Sequence, residues 1–410
     1  MPEINADRLL GDLRTLRRFG SHGTGVIRRA LTPVDMESRR WLMERMTEAG
    51  LAPEMDGLGT VLGRSRAPGK ALLIGSHSDT QPTGGWLDGA MGVIFGLEVA
   101  RALSESDRTR DFAVDVVSWI DEEGNFQIGC MGSKVYSGRV SIDTVRDNVN
   151  DEGERFADVV ERLGIAGRPI LRFEPGRYEG YVEAHIEQGP WLEEENKRIG
   201  VVDSIVGLRN LRVRFRGQQN HAGTTPMHRR RDAARALFEL AHTVNTEFPD
   251  RVGPRTVWTI GEVSVLPGAD SIVPGDASLT LQFRDGEESK LDELDAFVRE
   301  LAARANASSP VEIAVEETGN FNRAAVMDEG FRSHIAEAAE RHAPGEWMHM
   351  PSAAGHDAQV LSTKMPCAMM FVPSIGGISH AFEEDTSDED LVLGCQVLAT
   401  ATASILAERS

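Results

Sequence analysis

Two short runs in this chain carry residue types that hold divalent cations. The first is Gly75-Ser76-His77-Ser78-Asp79-Thr80, followed by Leu87-Asp88-Gly89. The second is Asp121-Glu122-Glu123-Gly124, at the end of the apolar run Val116–Ile120. Each lies where a strand-like run stops, which is where an open α/β sheet carries its ligands. With His185 and His380 the set supplies three imidazoles, two carboxylates and a further glutamate. Those donors suit a pair of divalent cations and a base acting on the water they share.

The spacing assigns tasks. On an extended segment positions i and i+2 share a face, so Asp79 is expected to orient the His77 ring through its second nitrogen. Asp88 opens a helix near Ala90, where a carboxylate gains from the helix dipole and has two oxygens with which to bridge two cations. Glu122 and Glu123 are adjacent and cannot serve one ion in the same way; one ligand and one base is the sensible division. Taken singly, each feature is ordinary: a capped loop histidine, an N-cap aspartate, an acidic turn. The joint order of types is what is specific.

These residues need a scaffold. Leu9, Leu10, Leu13 and Leu16 have helical spacing, and Thr32-Pro33-Val34-Asp35 announces a second helix with cap, proline and early acid. Short apolar runs at 60–62 and 71–74, a helix from Ala90 to Leu103 and the run Ala113–Ile120 alternate as in a sheet covered on both faces. From Val206 the texture changes. Leu211, Val213 and Phe215 alternate with arginines, and the order strand, helix, strand, strand, helix, strand fits a small α+β sandwich. After Phe321 the buried style returns, through Cys367–Val372 to a last helix over Asp388–Ala407. The expectation is an α/β domain over 1–207 and 323–410, interrupted by an α+β domain over 208–322.

Composition bounds the partners. The 410 residues exceed one small core, and a net charge of −20 argues against nucleic acid or an anionic membrane. No stretch is read as approaching the roughly 20 apolar residues that cross a bilayer, and the first residues lack a signal-peptide plan. Three scattered cysteines, Cys130, Cys367 and Cys395, are too few for a disulfide framework, so a cytoplasmic setting is expected.

Several further runs complete a pattern: His185-Ile186-Glu187-Gln188-Gly189-Pro190, His221-Ala222-Gly223-Thr224-Thr225-Pro226-Met227, Gly355-His356-Asp357-Ala358 and Gly377-Ile378-Ser379-His380. Together with the first two they make the chain resemble, over nearly its whole length, the dinuclear metal amidohydrolases of the peptidase M20 superfamily. The branch it most resembles is the hydantoinase/carbamoylase one, which includes N-carbamoyl-L-amino acid hydrolases and allantoate amidohydrolases. The resemblance implies that His77, Asp88 and His185 bind one metal and that Asp88, Glu123 and His380 bind a second. It makes Glu122 the general base and His221 an oxyanion stabiliser, with Asp79 supporting the ligands. Arg284 would bind the substrate carboxylate, and Gln188, Ser271, Gly355 and His356 would line the substrate. The ions implied are two divalent metals from among zinc, manganese, cobalt and nickel. The implied fold is a catalytic domain with a mixed, mostly parallel sheet flanked by helices, and a lid domain that makes a homodimer.

The implied reaction is hydrolysis of a ureido or amide C–N bond in a small N-substituted amino acid. Allantoate, ureidoglycolate-like and N-acyl substrates stand as alternatives, and a non-catalytic metal-binding protein as the other class. Some positions depart from the family. Ser271 replaces the usual asparagine, the loop after Gly124 is one residue shorter, Ala353 replaces a glycine, and Leu208 stands where allantoate enzymes tend to carry glutamine.

Overall fold

The computed structural model describes residues 2–318 and 323–409. The chain divides into two compact units, residues 1–203 with 326–410, and residues 204–325. The expected boundary at 322, beside Phe321, lies outside the described residues.

Four parallel strands form the centre of the first unit, in the order Cys367–Val372, Tyr178–Ile186, Ala71–His77 and Val114–Trp119. Outside them the direction reverses. Ile199–Ile205 runs antiparallel to Cys367–Val372, and Val61–Arg64 antiparallel to Val114–Trp119, with Ala52–Met55 beyond it. The nine-stranded sheet is therefore mixed, as expected, with parallel strands in its middle and antiparallel ones toward its edges. The reason is local: Ala52–Met55 and Val61–Arg64 are joined by a short reversal, which only antiparallel neighbours allow. The buried Asp56 carboxylate shapes that turn by accepting the N–H groups of Leu58, Gly59 and Thr60 at 2.9 Å each.

Ala71–His77, Val114–Trp119 and Cys367–Val372 are buried at every residue, as strands covered on both faces must be. The helix Ala90–Ser104 is buried from Ala90 to Leu103. The helix Pro33–Glu48 starts as its sequence dictates, with Thr32 Oγ1 accepting the Asp35 N–H and proline in the first turn.

The last helix, Asp388–Arg409, corrects one reading. Among the described residues it is the one helix long and apolar enough, by length and composition, to cross a bilayer. In this structure 67% of its apolar stretch is buried against the rest of the protein, and Leu391, Cys395, Leu398 and Ile405 belong to the core.

The second unit holds a four-stranded antiparallel sheet in the order Val257–Leu266, Asp276–Asp285, Gly207–Arg216, Glu312–Glu317. Its strand alternation is that of a sheet with one buried face. Leu211, Val213, Phe215, Leu279, Leu281 and Phe283 point into a core shared with the helices Ala233–Glu247 and Glu288–Ser308. The short strand Asn220–His221 pairs separately with Ile272–Val273.

Candidate metal centre

The carboxyl ends of the four parallel strands deliver most of the candidate ligands to one edge of the sheet. His77 is the last residue of its strand and stands in register with Trp119, just before Glu122 and Glu123. His185 is next to last in Tyr178–Ile186, beside Phe371. His380 lies in the loop after Cys367–Val372, and Asp88 directly precedes the helix that begins at Ala90.

Asp88 is the meeting point. Its Oδ1 lies 3.1 Å from His185 Nε2 and 3.5 Å from His77 Nε2, while Oδ2 lies 3.1 Å from His380 Nε2. Two donor groups result, His77 with Asp88 and His185, and Asp88 with Glu123 and His380; within each the ligand atoms lie within 4.8 Å of one another. Gly89 makes the first group possible. It has φ 62°, and a Cβ there would stand 2.3 Å from the His77 ring.

Second partners fix the rings. His77 Nδ1 faces the Asp79 carbonyl oxygen at 3.0 Å and His185 Nδ1 the Ile186 carbonyl at 2.9 Å, which leaves each Nε2 directed at Asp88. This changes the part expected of Asp79. Its backbone carbonyl orients His77, while its carboxylate lies 3.9 Å from that ring. The carboxylate instead accepts the Glu123 N–H at 3.3 Å and faces the buried Arg39 guanidinium at 3.6 Å.

The electrostatics favour a cation. Burial would raise the Asp88 carboxyl, but hydrogen bonds to His185, His380 and His77 outweigh it and hold the group well below the usual carboxylate range. Burial and the Asp88 charge push Glu123 up to about 7. Glu123 Oε1 is buried with no hydrogen-bond partner among the described residues. An orphaned buried acceptor and acids crowded beside three imidazoles fit positive charge at this point. Glu122 is also pushed well up, by burial first and then by Glu123 and Asp357. Its Oε2 lies 3.7 Å from His77 Nε2, and its Oε1 accepts the Cys130 thiol at 3.0 Å.

The other candidates are placed as follows. Gln188 donates its amide to Asp88 Oδ2 and to Ser379 Oγ, both at 3.2 Å. Gly355 is exposed, but His356 is buried behind His185, with ring centroids 4.7 Å apart and Nε2 2.8 Å from Ser352 Oγ. His356 therefore backs a candidate ligand rather than presenting its ring outward as a substrate contact would. In the second unit, His221 is exposed, and its Nδ1 accepts the N–H groups of Gly223 at 3.0 Å and Thr224 at 3.1 Å. That pattern leaves Nε2 as the proton-bearing nitrogen. Ser271 is exposed and ties the same loop through its carbonyl, which accepts Ala222 N–H at 2.8 Å. Arg284 is half-buried and donates Nε to Gln282 Oε1 at 3.1 Å.

Comparison with known proteins decides the family. The sequence model of peptidase family M20/M25/M40 matches residues 73–404. This chain is an M20 family member. The crystal structure of an amidase of the hydantoinase/carbamoylase family from Burkholderia phymatum superposes with a TM-score of 0.93 at 48% identity, covering 100% of both chains. An N-carbamoyl-L-amino-acid amidohydrolase from Paenarthrobacter aurescens is 32% identical over 97% of each chain. An allantoate amidohydrolase from Escherichia coli strain K12 is 32% identical over 94% of each.

The chain is an M20 hydrolase, and the donor groups built round Asp88 are of a kind able to hold a divalent metal. Some residues that shape this M20 site had no visible role in the sequence. Cys130 shows no nucleophile setting, and burial holds its thiol well above the ordinary range, so it acts as a donor to Glu122. Glu183, buried in the His185 strand, accepts Ser76 Oγ at 2.6 Å and Ala358 N–H at 2.9 Å. No spacing signal marks either; both depend on partners brought in by the fold.

Proposed function

We propose that this chain hydrolyses the ureido C–N bond of an N-carbamoyl-L-amino acid, using two divalent cations held by His77, Asp88 and His185 and by Asp88, Glu123 and His380. The observation that carries the reading is Asp88 facing three imidazoles with its two oxygens, beside a carboxylate, Glu122, that is held but not used in either group. Zinc, manganese, cobalt and nickel all suit these donors. When bound, the cations would acidify a water molecule and polarise the scissile carbonyl.

The rest of the chemistry belongs to the chain. Glu122 takes the proton of the attacking water at Oε2, since Oε1 is engaged by Cys130. The same oxygen then gives the proton to the departing nitrogen. His221 offers Nε2–H to the developing oxyanion, and Arg284 grips the substrate carboxylate through its planar fork. The products are the amino acid, ammonia and carbon dioxide. Residues 204–325 act as lid and dimer contact in this proposal. A reducing, cytoplasmic setting accords with three free thiols.

Allantoate and ureidoglycolate-like compounds are the second reading, favoured by the allantoate-hydrolysing relative and opposed by apolar Leu208. The test is a panel of N-carbamoyl, N-acyl and allantoate-like compounds, assayed after chelation and refilling with each metal. Glu122→Gln should lower kcat by about 10²–10⁴ while cation uptake stays unchanged. Turnover that survives chelation, or an unimpaired Glu122→Gln enzyme, refutes the mechanism.

A further inference from the structure

The acidic run after His380 contains one buried carboxylate that the mechanism leaves unused. Glu384 is 1% exposed, and its three donors come from two separate loops. Oε1 accepts the N–H groups of Leu87 at 3.2 Å and Asp88 at 3.0 Å, and Oε2 accepts Ser379 Oγ at 2.8 Å. One side chain thus joins the residue that faces all three imidazoles to the residue just before His380. Asp385 adds a parallel tie, accepting Trp86 Nε1 at 3.2 Å. The fit is close: a Cβ at Gly85 would lie 1.9 Å from Glu384 Oε1, so glycine there makes room for the carboxylate.

His380 needs such a tether more than its two counterparts do. His77 and His185 sit in buried strands, whereas His380 lies in a loop with its side chain 50% exposed and φ 53°. A non-glycine residue in that backbone region persists only where its surroundings hold it. We propose that Glu384 is a positioning residue that locks the His380 loop to the Asp88 loop. It sets the second donor group without contacting cation or substrate. The inference rests on the metal reading above.

The test titrates chelated protein with Mn²⁺ by calorimetry, comparing wild type with Glu384→Ala, Glu384→Gln and Ser379→Ala. Glu384→Ala should weaken one binding step about 10–100-fold, as loss of an outer-shell partner does. Ser379→Ala should weaken the same step by less. Glu384→Gln should stay near wild type, because its amide oxygen can keep both N–H groups while the Ser379 hydroxyl turns to accept. In the chelated protein, amide exchange at Leu87 and Asp88 should be faster in Glu384→Ala than in wild type. Wild-type Mn²⁺ binding in Glu384→Ala, or unchanged exchange at those two amides, overturns the proposal. If Glu384→Ala fails to fold, unaltered Mn²⁺ binding by Ser379→Ala overturns it instead. Wild type that takes up no Mn²⁺ would count against the metal reading, and the exchange comparison would still decide the clamp.

Discussion

Leu208 stands directly opposite Arg284 in the antiparallel pairing of Gly207–Arg216 with Asp276–Asp285. Residues so paired have side chains on one face, about 5 Å apart at Cβ. An apolar partner shields the guanidinium from water but offers no hydrogen bond to a polar extension of a substrate. Leu208→Gln should therefore raise the ratio of kcat/KM for allantoate to that for N-carbamoyl amino acids by about tenfold, the worth of one hydrogen bond to a charged site. Competition between the two substrates measures this directly, and an unmoved ratio removes Leu208 from specificity.

Arg284 itself should show its role in KM. Arg284→Ala is expected to lower kcat/KM about 10–100-fold, mostly through KM, because the lost interaction is present before and during reaction. Arg284→Lys should recover only part, since an ammonium cannot reproduce the two-pronged contact. Equal losses in kcat with KM unchanged would point away from ground-state binding of a carboxylate.

Arg39 and Asp35 form a buried ion pair at 3.0 Å with neither side chain exposed. Arg39 also donates to the carbonyls of Gly59 and Trp119 at 3.2 Å and of Ser118 at 3.3 Å, bracing the strand end that leads to Glu122. Arg39→Ala strands the Asp35 charge and should cost about 3–5 kcal/mol in urea unfolding. Removing both charges, as Asp35→Leu with Arg39→Met, should cost less than the single change. A double variant no better than the single one would contradict this account.

The Asp56 carboxyl gives a pH signature remote from the metal donors. Burial pushes it up to about 6, against the lowering effect of the N–H groups of Leu58, Leu171, Thr60 and Gly59. A folded pKa above the unfolded one makes a contribution that is complete below about pH 4 and lost as the pH rises through 6. Wild type should thus lose up to about 3 kcal/mol relative to Asp56→Asn across that window, and nothing further above pH 7. Parallel melting of the two proteins in chelator at several pH values checks it; a constant difference would show that the turn tolerates the charge.

How far the chain could be read follows from what each signal depends on. Helix starts depend on neighbours, and the helix Pro33–Glu48 begins where its Thr32 cap and first-turn proline place it. The six residues from His77 to His380 in the two donor groups and Glu122 were visible because their types and order are unusual together. The strand that carries His185 was not visible. Tyr178–Ile186 contains Glu179 and Glu183, and an acid inside a buried strand breaks the apolar pattern. Glu183 is tolerated only because Ser76 and Ala358, 107 and 175 residues away in sequence, supply its hydrogen bonds. Asp79 failed differently: alternation put its carboxylate by His77, but Arg39 and the Glu123 N–H draw it elsewhere.

The strand Cys367–Val372 sits between Tyr178–Ile186 and Ile199–Ile205, yet it is made after the whole of the second unit. Until it is made, Tyr178–Ile186 and Ile199–Ile205 lack the neighbour that lies between them. A nascent chain held short of residue 372 should be sticky and open to proteases, and it gains its central strand only near the close of translation.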